Sequence, residues 1–311
     1  MSTVNPGLRP WLDNLNQLMD AARASHATAT PVNVREALAN MTAALVSERP
    51  DTAWVGDAMV DTGAYPVPVR LYDPAPEKEK PVCLFFHGGG HMAGSITVYD
   101  PICRKLARAS GQLVVSVEYR LAPECPYPRG LEDCLAVARH IWPTLEHKQR
   151  KVRRRLALVG DSGGGTLAAS VSALARDDDA LHIDKQVLIY PSLDYALEHP
   201  SIHENGRGYL LEEERIHWYF DAYFKPGDDR RAASPLHMGV NERLPETLVV
   251  TAGFCPLRDE ALAYLERLDQ ARVPNQHLHL DDMIHAYLNL EDLVPEACAQ
   301  TYRAIGGFLR G

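Results

Sequence analysis

"RLALVGDSGGGTLAASVSALA", residues 155–175, decides the fold. The run from Arg155 to Gly160 is short, apolar and followed at once by glycine, which reads as a buried strand rather than a helix. Gly160, Asp161, Ser162, Gly163 and Gly164 match G-x-S-x-G, and the small and apolar residues after them have the composition of a buried helix. Glycines flank the serine in such a strand-to-helix elbow because the strained turn leaves no room for side chains. The turn lifts the hydroxyl to the carboxyl edge of the sheet, so Ser162 is a candidate nucleophile. A glycine loop that cradles an anion is the competing reading. It fits less well, because the stretch lacks the Lys of a P-loop and does not continue as G-x-G-x-x-G with a later acidic residue.

Outward from this stretch, β-rich runs alternate with amphipathic segments: "VPVRLY", "PVCLFF", "LVVSVEY", "QVLIYP", "TLVVTA" and "HLHL". The alternation predicts an α/β chain with a mostly parallel central sheet flanked by helices. Two regions stand outside it. Residues 1 to about 50 read as helices, and about 195–235 form an aromatic-rich insertion, so both are expected to build a helical cap on one domain spanning residues 1–311.

A chain of 311 residues with 46% hydrophobic residues can bury a sizeable core, and a net charge of −9 argues against a nucleic-acid partner. The basic run "KQRKVRRR", residues 148–155, dissents, and is read as a solvated connector between a helix and a strand. Six cysteines show neither a CxxC pair nor zinc-site spacing, which suits a reduced compartment. No apolar stretch has signal-peptide or membrane-spanning length, so the expectation is a soluble, cytoplasmic protein without a membrane span. His87 and His91 are four apart, but the three glycines between them make a helical metal site improbable, and no metal or cofactor is expected.

Seventy-odd residues before Ser162, "CLFFHGGGHMAG" ends a buried strand in His87, Gly88, Gly89 and Gly90. Three glycines leave backbone N–H groups free to face a ligand, as acyl transfer requires of an oxyanion hole. A flexible turn is the bland alternative. Together "HGGG", "VEYRLAPECPYP", "GDSGGG", "IYPSLD" and "PLRDE", in that order over about residues 60–290, resemble the hormone-sensitive-lipase-like family of α/β-hydrolase esterases. The resemblance implies the α/β-hydrolase fold with a helical cap and carboxylesterase activity on small acyl esters. It implies Ser162 as nucleophile, His285 as general base and the N–H groups of Gly89, Gly90 and Gly163 as the oxyanion hole.

One position departs from the family. Where the resemblance expects the aspartate of a catalytic triad, thirty residues before the histidine, "CPLRDE" places Cys255. The acid holds the imidazole in the right tautomer and stabilises the imidazolium as it forms, and a neutral thiol does neither well. Four accounts stay open: a weakened catalyst, a surrogate carboxylate among Asp259, Asp281 and Asp282, a thiolate paired with His285, and an oxidised sulfur. The family analogy, with the bulk of Trp218, Tyr219, Phe220, Tyr223 and Phe224, implies a preference for short acyl chains. The runner-up is a weakly catalytic or non-catalytic small-molecule binding protein on the same scaffold, as the resemblance to plant hormone receptors of this fold allows. A homodimer is left open.

Overall fold

The computed structural model describes residues 3–26 and 28–311. Its centre is one eight-stranded sheet: β1 (Trp54–Val60), β2 (Val67–Asp73), β3 (Lys80–Phe86), β4 (Leu113–Val117), β5 (Val152–Asp161), β6 (Lys185–Ile189), β7 (Glu246–Phe254) and β8 (Asn275–Ile284). The spatial order is β1-β2-β4-β3-β5-β6-β7-β8. The β1–β2 and β2–β4 pairs are antiparallel, and every pair from β4 to β8 is parallel. The sheet is therefore the mostly parallel one expected from the alternation of runs.

Among the described residues ten α-helices accompany it: α1 (Arg9–Ala24), α2 (Pro31–Leu45), α3 (Asp100–Ser110), α4 (Arg129–His147), α5 (Gly163–Ala175), α6 (Ser201–Glu204), α7 (Glu213–Tyr223), α8 (Arg230–Ala233), α9 (Arg258–Gln270) and α10 (Pro295–Arg310). The strands are apolar on both sides because both faces are covered. Cys83 and Phe85 of β3 pack toward α3 and α10, while Val82, Leu84 and Phe86 pack toward α4, α5 and α9. Period-two alternation within one strand thus feeds two cores.

Of the two regions expected to form a cap, the first is largely helical, and the second carries α6, α7 and α8 joined by turns and bends. Arg23 of α1 pairs with Glu212 at 2.6 Å, and the Asn16 amide donates to the Gly208 carbonyl at 3.1 Å, which ties α1 to the segment entering α7. Arg35 of α2 reaches the Met92 and Ala122 carbonyls at 2.8 and 3.0 Å.

Two expectations need correction. The basic run is the expected connector only as far as Lys151: α4 ends at His147 and β5 begins at Val152, so Arg153, Arg154 and Arg155 belong to the strand. Lys151, Arg153, Arg154 and Arg155 pair with Glu77, Glu79, Glu146 and Asp184 at 2.9, 3.4, 2.9 and 3.1 Å. Arg150 lies 4.0 Å over the Trp54 ring. The strand β1 went unread because, as a half-exposed edge carrying Gly56 and Asp57, it has neither a continuous apolar run nor clean alternation. Among the described residues no helix is long and apolar enough to cross a membrane.

Candidate active site

Everything chemical lies at the carboxyl ends of the parallel strands. Ser162 follows β5 directly and opens α5, with φ 52° and ψ −123°, a conformation costly for any residue with a Cβ. The turn is tight enough that a Cβ on Gly160 would strike the Gly164 carbonyl, and one on Gly164 the Phe86 carbonyl. These contacts, rather than flexibility, are why glycine stands on both sides of the serine. The Ser162 Oγ lies 2.8 Å from Nε2 of His285.

His285 and Cys255 meet because of strand register. Phe254 at the end of β7 pairs with Ile284 at the end of β8, so the next residue of each strand leaves the sheet beside the other. The Cys255 Sγ lies 3.2 Å from Nδ1 of His285, and the Leu257 N–H donates to the same sulfur at 3.4 Å. Burial holds the imidazole down to about 3 and pushes the thiol up, although the Leu257 N–H opposes the latter. Both shifts favour neutral groups and work against a thiolate–imidazolium pair.

The carboxylates weighed as surrogates lie elsewhere. Asp259 accepts from Arg258 Nε at 2.7 Å and from the Ser201 N–H at 3.0 Å. Asp282 accepts from the Asn5 amide at 2.6 Å, and Asp281 is exposed on β8, where its charge acts on His279.

The glycine loop follows β3 and faces Ser162 because β3 pairs with β5 as far as Phe86 and Gly160. Gly89 and Gly90 have φ of 118° and 61°, both in the region that favours glycine. The loop's own hydrogen bonds use the amides of Gly88, Met92 and Ala93. Those of Gly89 and Gly90 have no protein acceptor among the described residues. Gly163 is the first residue of α5, where an N–H has no intrahelical partner, and a Cβ there would lie 3.4 Å from the Gly90 nitrogen. The three amides are thus neighbours and free to donate.

Beneath them sits a group the sequence reading passed over. Asp161 accepts from the Gly88 N–H at 2.7 Å and from the Tyr99 hydroxyl at 3.1 Å. Burial raises its carboxyl to about 7, against the pull of those two donors. Its position inside G-x-S-x-G was visible, but its partner lies 73 residues away. His87 is buried, its carbonyl accepting from the Tyr119 hydroxyl at 2.6 Å, while His91 stacks on Tyr223 with centroids 4.1 Å apart. Among the described residues no group of three or more His, Cys, Asp or Glu is placed to hold a metal ion.

Above Ser162 opens a cavity of about 550 Å³. Trp11, Leu15 and Met19 of α1 and Leu38 and Met41 of α2 line it, with Ile216, Tyr219 and Phe220 of α7 opposite. Of the five aromatics singled out in the sequence, only Tyr219 and Phe220 border the cavity. Helical periodicity turns the others away: Tyr223 is on His91, Phe224 packs on Tyr195 and Tyr127, and Trp218 lies under Arg215. The Tyr219 ring occupies the space a Gly90 Cβ would need, 2.7 Å away, so α7 reaches down to the loop. Nothing in the sequence periodicity alone marked α1 and α2 as walls of this site.

Residues 83–289 match a family described by the α/β-hydrolase fold. Esterase LipI of Mycobacterium tuberculosis is 36% identical over 259 residues, covering 81% of this chain and 80% of that protein. Ethyl acetate hydrolase of Pseudomonas putida is 31% identical over 309 residues, covering 95% of both. Among solved structures, an α/β-hydrolase enzyme from the metagenome of Lake Arreo, Spain, superposes with a TM-score of 0.89 at 31% identity, over 99% of this chain and 98% of that one.

Proposed function

The chain belongs to the hormone-sensitive-lipase-like carboxylesterases of the α/β-hydrolase fold, and on that footing we propose that it hydrolyses short acyl esters through an acyl-serine intermediate. The observation that carries this reading is the 2.8 Å contact between Ser162 Oγ and His285 Nε2 on the floor of a largely apolar cavity. In the proposed cycle Nε2 takes the hydroxyl proton as Oγ attacks the ester carbonyl. The amides of Gly89, Gly90 and Gly163 accept the negative charge that develops on its oxygen. Collapse expels the alcohol, which takes the proton from Nε2, and water repeats the sequence on the acyl-serine. In this reading α1, α2 and the 195–235 segment act as the cap, and Tyr219 and Phe220 shorten the acyl site.

Cys255 stands where the acid would act. A carboxylate only accepts hydrogen bonds and therefore forces the proton onto Nδ1, leaving Nε2 free to receive from serine. A thiol both donates and accepts, so it does not fix the tautomer, and when neutral it cannot balance the imidazolium. The Leu257 N–H aimed at Sγ fits an acceptor, and Nδ1 of His285 beside it donates or accepts with the tautomer, yet burial keeps the sulfur protonated. The proposal is accordingly a catalyst with intact nucleophile and base and a weakened third member. The free Ser162–His285 contact and open amides support an enzyme over a binding module.

An organophosphate should label Ser162, and Ser162→Ala should lower turnover of a short-chain nitrophenyl ester by about 10⁴-fold or more. Mass spectrometry locates the adduct. An adduct on another residue, or equal turnover in the alanine variant, removes the assignment.

A further inference from the structure

The cavity wall carries one feature that hydrolysis of a plain alkyl ester does not use. Arg215 lies on α7 one helical turn before Tyr219, the ring that rests on Gly90, and borders the cavity together with Leu211 and Ile216. Its side chain is half-buried, and its Nη1 is shielded from solvent with no hydrogen-bond acceptor among the described residues. The guanidinium stacks 5.3 Å over the Trp218 ring, which holds it in place without neutralising it. Two carboxylates of the same segment are engaged elsewhere: Glu212 pairs with Arg23 at 2.6 Å, and Glu213 lies 3.0 Å from His203 Nδ1.

Arg23, Arg35, Arg70, Arg104 and Arg120 all face carboxylates at 3.2 Å or less, so an arginine left with only a ring in a wall of Leu, Ile, Met and aromatic side chains is an exception. A shielded guanidinium nitrogen without an acceptor is costly unless a ligand supplies one. Its planar fork matches a carboxylate with two parallel hydrogen bonds.

We infer that Arg215 is a specificity-determining residue that receives a second, ionised carboxylate on the ester substrate. The inference rests on the esterase reading and narrows its substrate class. Residues four apart on a helix stand about 5 to 6 Å from one another. The anion therefore sits roughly one helical turn beyond the reacting carbonyl, the span of a four-methylene chain. Two sources share this chemistry: the monoester of a short dicarboxylic acid, with the charge on the acyl side, and an ester whose alcohol part ends in a carboxylate.

Paired substrates separate the two. Monoethyl adipate against ethyl hexanoate tests the acyl side, and 4-acetoxybutanoate against butyl acetate tests the alcohol side, each as a ratio of kcat/KM for the charged over the neutral ester. In Arg215→Met the ratio for one pair should fall by about 10- to 100-fold. Arg215→Lys, which keeps the charge but loses the fork, should recover part of it. Because each ratio is taken within one protein, partial misfolding of a variant cancels. Ratios that move less than threefold in both pairs, with neutral-ester turnover intact, overturn the role of Arg215 alone. Absence of turnover of every ester by the unaltered chain overturns the hydrolase reading instead.

Discussion

On one side of Ser162 a buried carboxylate holds the loop that would receive the oxyanion. On the other, a buried thiol backs the imidazole. Asp161 and Cys255 are both buried, both at the carboxyl end of a parallel strand, and both accept a backbone N–H, from Gly88 at 2.7 Å and from Leu257 at 3.4 Å. They differ in what the acceptor can do. The carboxylate takes two donors and fixes both, while the sulfur sits between one backbone donor and a nitrogen whose proton it cannot command. Strand register therefore delivers His285 to Ser162 whatever residue stands at 255, but only the identity of that residue sets charge and tautomer.

The sharpest way to break this contrast is to make the two sides alike. Cys255→Asp should raise kcat by up to about 10⁴-fold. The new carboxylate should also lift the imidazole pKa above its present depressed value, which NMR of the histidine ring reads directly. Equal turnover in Cys255→Asp, Cys255→Ala and the unaltered chain would remove residue 255 from the mechanism.

Next in size, Gly90→Ala disturbs the other side. Its Cβ would meet the Tyr219 ring at a residue with φ 61°, so the loop must shift and the amide with it. A loss of about 10²-fold in kcat is expected, with KM less affected. A loss below threefold would show that the Gly90 amide bears no developing charge.

The smallest effect concerns pH. With the Asp161 carboxyl raised to about 7 and the His285 imidazole held near 3, the acid limb of kcat/KM should follow Asp161. Below about 7 one of the two oxygens carries a proton, so the carboxyl no longer accepts with full charge from Gly88 at Oδ1 and Tyr99 at Oδ2, and the loop loosens. Asp161→Asn should flatten the profile between pH 5 and 8 at a plateau about three- to tenfold lower. An unchanged acid limb would place the titration elsewhere. Stability moves in the same sense as the sign of the shift: the folded group keeps its proton to about 7 and the unfolded one to about 4. Its contribution to stability is therefore complete below about 4 and is lost as pH rises through 7. Urea midpoints of the unaltered chain and Asp161→Asn should thus converge toward acid pH.

Much of this was legible in residues 155–175 and 83–94. An elbow needs glycine at fixed offsets from its serine, and an amide loop needs consecutive glycines, so local sterics write both into the sequence. The parallel strands were legible for the same reason, since burial on two faces demands unbroken apolar runs. The edge strand β1 was not, because Asp57 and Met59 are exposed, its other residues apart from Val60 are only half-buried, and Gly56 and Asp57 interrupt the pattern. Nor was the true setting of "KQRKVRRR", whose cations are neutralised by Glu77, Glu79, Glu146 and Asp184 from other segments.

By itself the sequence determined the parallel strands, the serine elbow and the glycine loop, all of which depend on residues a few positions apart, while the unusual cysteine stood out through the family resemblance. Tertiary structure alone decided that Cys255 rather than Asp259, Asp281 or Asp282 faces His285, that Asp161 holds Gly88, and that Arg215 looks into the cavity while Trp218 does not. Those relations join residues on different strands and helices, and they arise from register, crossing geometry and burial, which come into being only when the chain packs against itself.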